Sequence, residues 1–323
     1  VEAGARIADD AAGVLTRADC LVVVAPPTDD LVASLEARHT LLGFLDPLGD
    51  PARAQRIAER GATSFAFELM PRTTRAQSMD ALSSQATVAG YHAVLLAAER
   101  SPRLLPLLMT AAGTVKARNV LVLGAGVAGL QAIATARRLG AVVTAFDVRE
   151  AVREQVESLG ARFLAIDVVG GEQAGGYATG LDEDQHHREQ EALAQACADA
   201  DIVITTAQIP GARAPELITE AAVRGMRAGS VIVDLAASTG GNCACTRVGE
   251  DVDVDGVLVL GPANPAAAMP GTASDLLAAN AKAFLQLIAR EGRIAPDWDD
   301  EIVQGAAVTR DGRIVAERLG GSA

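Results

Sequence analysis

The chain has 323 residues, of which 50% are hydrophobic and only 3% aromatic, with a formal net charge of −13. That length suggests about two domains with a sizeable core, which Ala, Val, Leu and Ile must build. The acidity argues against nucleic acid or an anionic membrane surface as partner, no apolar run approaches the roughly 20 residues of a bilayer span, and no basic-then-apolar leader is visible. Cys20, Cys197, Cys243 and Cys245 lack CxxC spacing, as in a reduced cytosolic protein. Cys243-Ala-Cys245 reads as packing or loop chemistry, so no metal site is expected. The chain opens at Val1 with no Met, and an N-terminal piece is expected to be missing.

In chain order, residues 21–24 read as a buried strand that Pro26-Pro27 terminates. Residues 31–38 have helical spacing, 41–45 form a second strand, 52–60 a short helix with Arg and Glu on its polar side, and 63–69 a third strand. This βαβα rhythm implies a parallel sheet. Residues 70–85 are polar, show no period before about Ala81, and concentrate Arg72, Arg75, Gln77, Asp80, Ser83 and Ser84. They lie just beyond a strand, where open α/β sheets place ligands. On chemistry alone they divide evenly between a ligand loop and a solvated connector in which Ser83 or Asp80 caps the next helix. That helix, 86–100, is small and apolar all round, as suits a buried helix bridging two domains.

Residues 119–149 organise the rest. Residues 120–123 suit a strand buried on both faces. Gly124, Gly126 and Gly129 then spell G-x-G-x-x-G, an Ala/Leu-rich helix runs to near Gly140, and a second strand, 141–146, ends at Asp147. Gly124 makes the tight turn, Gly126 lets the backbone approach a pyrophosphate, and Gly129 lets helix and strand pack closely. The helix N-terminus offers unpaired N–H groups and a positive dipole end to the phosphates. With an acid about 20 positions on, this is the dinucleotide fingerprint in its strand–turn–helix context. A carboxylate at Asp147 can accept from both adenosine-ribose hydroxyls and would repel a 2′-phosphate, so NAD(H) is expected over NADP(H).

Downstream, residues 163–168 form a third strand, and 169–181, with five glycines and Tyr177, a flexible loop that reads as a lid or a plain connector. Residues 181–198 form a charged helix in which His186 and His187 are solvated. Then come strand 201–206, the turn Ile209-Pro-Gly211, helix 215–227, and strands 231–235 and 257–260. Six strands with the fingerprint on the first fit a doubly wound sheet of order 3-2-1-4-5-6. A long helix, 274–290, returns to the first domain, and strand-like pieces at 302–309 and 313–316 flank the turn Asp311-Gly312. The expected fold is α/β with two Rossmann-like domains, the second a doubly wound parallel sheet carrying the NAD fingerprint. Residues 1–84 plus 272–323 are expected to form the N-terminal domain and 85–271 the NAD-binding domain.

Several stretches together resemble a known family. They are Glu68-Leu-Met-Pro-Arg-Thr-Thr-Arg-Ala-Gln-Ser-Met-Asp-Ala-Leu-Ser-Ser-Gln85, Gly124-Ala-Gly-Val-Ala-Gly-Leu-Gln-Ala-Ile-Ala-Thr-Ala136, Glu154-Gln-Val-Glu-Ser-Leu-Gly160, Ala174-Gly-Gly-Tyr177, Gly240-Gly-Asn-Cys243 and Val308-Thr-Arg-Asp-Gly312. In this order they resemble the NAD(H)-binding component (domain I, alpha subunit) of proton-translocating nicotinamide nucleotide transhydrogenase, over nearly the whole chain. The family is related to alanine dehydrogenase and shares its two-domain architecture. The resemblance implies that Arg72, Gln77, Asp80 and Ser83 surround the nicotinamide ring. Gly124, Gly126, Val127, Ala128, Gly129, Asp147, Val148, Arg149, Tyr177 and Asn264 would hold the rest of the NAD, with Tyr177 on a closing loop. It also implies NADP(H) on a partner subunit, membrane-spanning partners, a homodimer, and a cytoplasmic place on the inner face of the cell membrane. Two departures stand out: the family's chain begins with a further βα unit, and residues 261–270 are here unusually rich in alanine.

Direct hydride transfer between two nicotinamides needs alignment of the reacting carbons within about 3–3.5 Å and exclusion of water, not an acid or base. A stand-alone alanine dehydrogenase would need a proton acceptor and a carboxylate clamp, supplied in that relative by a Lys and a His. The corresponding positions here are Val23 (or Ala25) and Asp46, and no lysine precedes Lys116. A non-catalytic NAD sensor is a third reading, against which the intact polar loop speaks.

Overall fold

A computed structural model describes residues 4–166, 172–173, 177–178 and 183–320. The chain divides into two compact units, Val1–Ser84 with Ser274–Ala323, and Gln85–Ala273.

The first unit holds a five-stranded sheet in the order Cys20–Val23, Thr40–Gly43, Thr63–Ala66, Ala307–Arg310, Arg313–Ile314. The first three strands are parallel, and the last two join antiparallel. Alternate side chains face opposite layers. Leu41 packs with Val32 and Ile57 from the helices Asp29–Ala33 and Pro51–Glu59, whereas Leu42 packs with Phe65, Phe284 and Ile302. Thr28 and Asp50 cap those two helices through their side-chain oxygens. Residues 302–309 are not one strand: Glu301–Ala306 is a helix and only Ala307–Arg310 is extended. Asp300 accepts from the Ile302 N–H and starts the helix, which buries Ile302, Val303 and Ala306 on one side. A short apolar run cannot by its period alone reveal that switch. Residues 67–69 likewise leave the strand as a 3-10 turn.

The second unit is built on a seven-stranded sheet ordered Arg162–Phe163, Val142–Phe146, Asn119–Leu123, Ile202–Thr205, Val231–Asp234, Val257–Leu260, Asp251–Val254. The six parallel strands have the expected order 3-2-1-4-5-6, and Asp251–Val254 adds an antiparallel edge. Val120, Val122, Ile202 and Ile204 face one core with Ala93, Val94 and Ile133. Leu121, Leu123 and Val203 face the other with Leu193, Cys197 and Val223. Both faces are therefore covered, which is why these strands read as unbroken apolar runs. The helix expected at 215–227 is only Glu220–Arg224. Thr219 caps it, while the Leu217 and Ile218 N–H groups donate to the Asn242 carbonyl and hold the preceding residues extended. A hairpin, Leu108–Thr110 with Gly113–Val115, adds to the elements expected from the sequence. The expected lid lies outside the described residues except for Glu172–Gln173 and Tyr177–Ala178, whose backbones pair antiparallel. Among the described residues no helix is long and apolar enough to cross a membrane.

Candidate functional site

Gly124 leaves the strand Asn119–Leu123 with φ +99, the left-handed region. A Cβ there would sit 2.5 Å from Thr206 Oγ1, and at Gly129 1.9 Å from the Gly124 carbonyl oxygen. The protein itself therefore excludes side chains at both positions. At Gly126 a Cβ would meet nothing within 4 Å. Gly126 precedes the helix Val127–Arg138 and supplies no side-chain cap, and the first-turn N–H groups of Val127, Ala128 and Gly129 have no intrahelical partners. Open backbone, spare donors and the positive dipole end fit a pyrophosphate. A further small residue supports this turn: a Cβ on Gly90 would lie 2.1 Å from the Ala128 carbonyl oxygen, so the helix Ala81–Arg100 packs directly on it. The signal available in the sequence was a glycine inside a helical pattern, which usually has a packing reason.

Asp147, at the end of the next strand, is largely buried and fully engaged. Its Oδ2 accepts from the Ala125 N–H (2.7 Å) and Arg149 Nη2 (3.0 Å), and its Oδ1 from the Arg149 N–H and Nε (both 2.9 Å). Burial alone would raise its pKa; the Arg149 side chain and the two backbone donors outweigh that and hold it below the ordinary value. Val148 packs partly buried against the second core.

The loops that follow the neighbouring strands are tied together by a residue absent from the sequence-based candidates. Asp234, fully buried, accepts from Thr205 Oγ1 (2.8 Å), the N–H groups of Ala236, Asn242 and Cys243 (2.9, 2.8 and 3.1 Å), and Thr246 Oγ1 (2.7 Å). Asn242 in turn accepts from the Ala207 N–H and donates to the carbonyls of Ala207 and Pro215. This network sits at the same carboxyl end of the parallel strands as Gly124 and Asp147, where such sheets bind ligands. The available signal was an acid closing an apolar strand. Burial pushes the thiols of Cys197 and Cys243 up to about 12, so both stay protonated and pack as small hydrophobes. Asn264 is exposed and accepts from the Ala267 N–H (3.3 Å) at the turn Pro265–Ala268. The Tyr177 side chain lies outside the described residues.

In the first unit the polar stretch is more ordered than its aperiodic sequence suggests. Thr74–Met79 is a 3-10 helix whose Ala76 and Met79 are buried in the core. Arg75 Nη1 and Nη2 donate to Asp300 (2.6 and 2.8 Å), and Asn280 Nδ2 to the Ser78 carbonyl (2.9 Å). Asp80 accepts from the Ser83 N–H (2.9 Å) and from Ser83 Oγ (2.6 Å), which starts the helix at Ala81 rather than 86. Asp80 and Ser83 are thus brought together, while Arg72 and Gln77 are exposed on the outer side of the turn. Glu68, at the head of the stretch, accepts from the N–H groups of Leu45 (3.3 Å) and Asp46 (2.7 Å). Burial pushes its pKa up despite these donors.

Residues 1–89 match the family described as Alanine dehydrogenase/PNT, N-terminal domain, and residues 93–317 the Alanine dehydrogenase/PNT, C-terminal domain. An NAD(P) transhydrogenase subunit alpha chain of Rhodospirillum rubrum is 45% identical over 99% of this chain and 86% of its own length. An alanine dehydrogenase of Halomonas elongata is 29% identical over 98% of this chain and 83% of its own. Among solved structures, the transhydrogenase from Sinorhizobium meliloti superposes with a TM-score of 0.83 at 43% identity, covering 98% of this chain and 84% of that one.

Proposed function

The chain belongs to the alanine dehydrogenase/PNT family, and we propose that it is the NAD(H)-binding component of a proton-translocating NAD(P) transhydrogenase. One observation carries the reading: a fingerprint turn open only at Gly126, with Asp147 closing the next strand, in a chain 45% identical to a transhydrogenase alpha subunit. Gly124, Gly126, Val127, Ala128, Gly129, Asp147, Val148, Arg149, Tyr177 and Asn264 are assigned to the nucleotide, and Arg72, Gln77, Asp80 and Ser83 to its nicotinamide end. NAD(H), when bound, supplies or accepts the hydride, and a partner subunit carries NADP(H). This chain's residues bind, orient and keep water out. A guanidinium, an amide, a carboxylate and a hydroxyl suit a carboxamide and a ribose, and nothing here has to move a proton. Proton translocation, and attachment to the cytoplasmic face of the membrane, are assigned to membrane-spanning partners. The exposed hairpin, where Leu107, Leu108 and Met109 face solvent and Met109 is 76% exposed, is assigned to a homodimer, since an isolated apolar ribbon needs a cover.

Stand-alone alanine oxidation is disfavoured by the first unit. The lysines of the chain are Lys116 and Lys282, and the histidine of that unit, His39, is 1% exposed with Nδ1 accepting from the Glu36 N–H and Nε2 against the Leu15 carbonyl. Neither ring nitrogen is left to clamp a carboxylate. The test is to mix the chain with an NADP-binding transhydrogenase component and follow NADH-dependent reduction of thio-NADP, whose reduced form is spectrally distinct. Transfer that needs both proteins is expected. Alanine-dependent reduction of NAD by the chain alone would overturn the assignment.

A further inference from the structure

We propose that the Arg149 guanidinium plugs the adenosine-ribose end of the nucleotide site, standing in for the ribose diol on Asp147, and that it, rather than the acid alone, sets how strongly the chain prefers NAD(H). The inference rests on the nucleotide-binding reading above. A carboxylate offers about four lone-pair sites, and Asp147 spends them on the Ala125 N–H, the Arg149 N–H, Arg149 Nε and Arg149 Nη2. The two backbone donors are held by the turn. The two guanidinium donors can be withdrawn by rotating one side chain. A ribose diol needs two acceptors from this acid, so the guanidinium and the diol compete for the same lone pairs. The pair is nearly dry, with Asp147 7% and Arg149 18% exposed, and a charge-assisted fork in such surroundings is a strong competitor.

The exchange has a second consequence. While paired, Arg149 cancels the charge of Asp147. When displaced, it stays two residues from the acid as a tethered cation. In either position a 2′-phosphate meets less repulsion than a bare carboxylate would give it. Arg149 therefore weakens NAD(H) binding and blunts discrimination against NADP(H) at the same time.

Calorimetric titration of the full chain with NADH and NADPH tests this, using wild type, Arg149→Met and Gly126→Val, with thermal melting as a check of folding. Arg149→Met keeps an apolar stem and removes the donors. It should bind NADH about tenfold tighter, the worth of one charge-assisted hydrogen bond, and NADPH no tighter, so that the ratio of the two affinities widens. Unchanged or weaker NADH binding overturns the plug, because it means the guanidinium holds the nucleotide or touches nothing that matters. If Arg149→Met does not fold, Arg149→Lys takes its place: an ammonium cannot reproduce the fork, and unchanged NADH affinity there overturns the proposal equally. Gly126→Val separates this failure from failure of the premise. Its side chain fills the open space, so wild-type NADH affinity in that variant would sink the nucleotide reading itself. Loss of binding there, with no tightening on removal of Arg149, sinks the plug alone.

Discussion

At Gly124, Gly126 and Gly129 the chemistry depends on side chains that are absent, whereas at Arg72 and Gln77 it depends on side chains that are present and exposed. The fingerprint turn is tied into its own unit by backbone: a Cβ would collide with protein at two of its three glycines. The polar loop is tied down on its inner side by Ala76, Met79, the Arg75–Asp300 pair and Asn280, and keeps its outer side for chemistry. A backbone-built site should fail by unfolding when altered, and a side-chain-built site should fail in rate while the fold survives.

The largest effect should come from Gly129→Val. With the new Cβ 1.9 Å from a backbone oxygen, the helix must shift, and the chemical denaturation midpoint should report a loss of about 3 kcal/mol or more. Gly126→Ala, facing open space, should leave that midpoint almost unchanged. Equal midpoints for both variants would break the contrast on the fingerprint side.

On the loop side, Gln77→Ala and Arg72→Ala should fold like wild type, because both side chains are exposed. In the presence of the NADP-binding partner they should lower hydride transfer by about 100-fold, the scale expected when reacting groups are misaligned. The NADH dissociation constant should change by no more than about threefold, since these two side chains act mainly in the transition state. A dissociation constant that rises in step with the fall in rate would move these residues from alignment to simple binding.

The same contrast explains what is legible in the sequence. Buried parallel strands announce themselves, so 120–123, 202–205 and 231–234 can be read almost to the residue, and their order follows from the fingerprint. The edge strand Asp251–Val254 escapes that reading because Asp alternates with Val there, although Asp255-Gly256, both at positive φ, is a hairpin signal in plain view. The equivalent pair Asp311-Gly312 is recognisable as a turn, yet the helix Glu301–Ala306 before it reads as strand because six residues hold less than two turns of period. Within the site, the glycine positions are readable because each answers a backbone requirement. The occupation of Asp147 by Arg149 is not, because it depends on a rotamer two residues past the strand end. The order in 74–79 is hidden for a related reason: its anchors come from far along the chain, Asn280 202 positions after Ser78 and Asp300 225 positions after Arg75.

A middle-sized effect sharpens the fingerprint side. Asp147→Ala should weaken NADH by about 1–3 kcal/mol, the range for leaving hydrogen-bonding partners unpaired, and should do so without abolishing the fold. No change in NADH affinity would mean that the carboxylate serves only the turn and Arg149.

The smallest effect sets one carboxylate of each unit against the other. Asp147 has its pKa held down in the folded chain, so its contribution to stability is present above the unfolded value near 3.8 and is lost as pH falls through the lower folded value. Glu68 has its pKa raised by burial, so its contribution is present below the unfolded value near 4.5 and is lost as pH rises through the higher folded value. Asp147→Asn and Glu68→Gln freeze each group near its neutral form. The stability advantage of wild type over Asp147→Asn should therefore grow with rising pH across the acid range. Its advantage over Glu68→Gln should shrink over the range in which the raised Glu68 ionises. Denaturation midpoints at a series of pH values measure both slopes, and their opposite signs are the readout. Slopes of the same sign would mean that the buried Glu68 carboxylate is held in its charged form by the Leu45 and Asp46 N–H groups, as Asp147 is held by Arg149, and that the two units treat a buried acid alike.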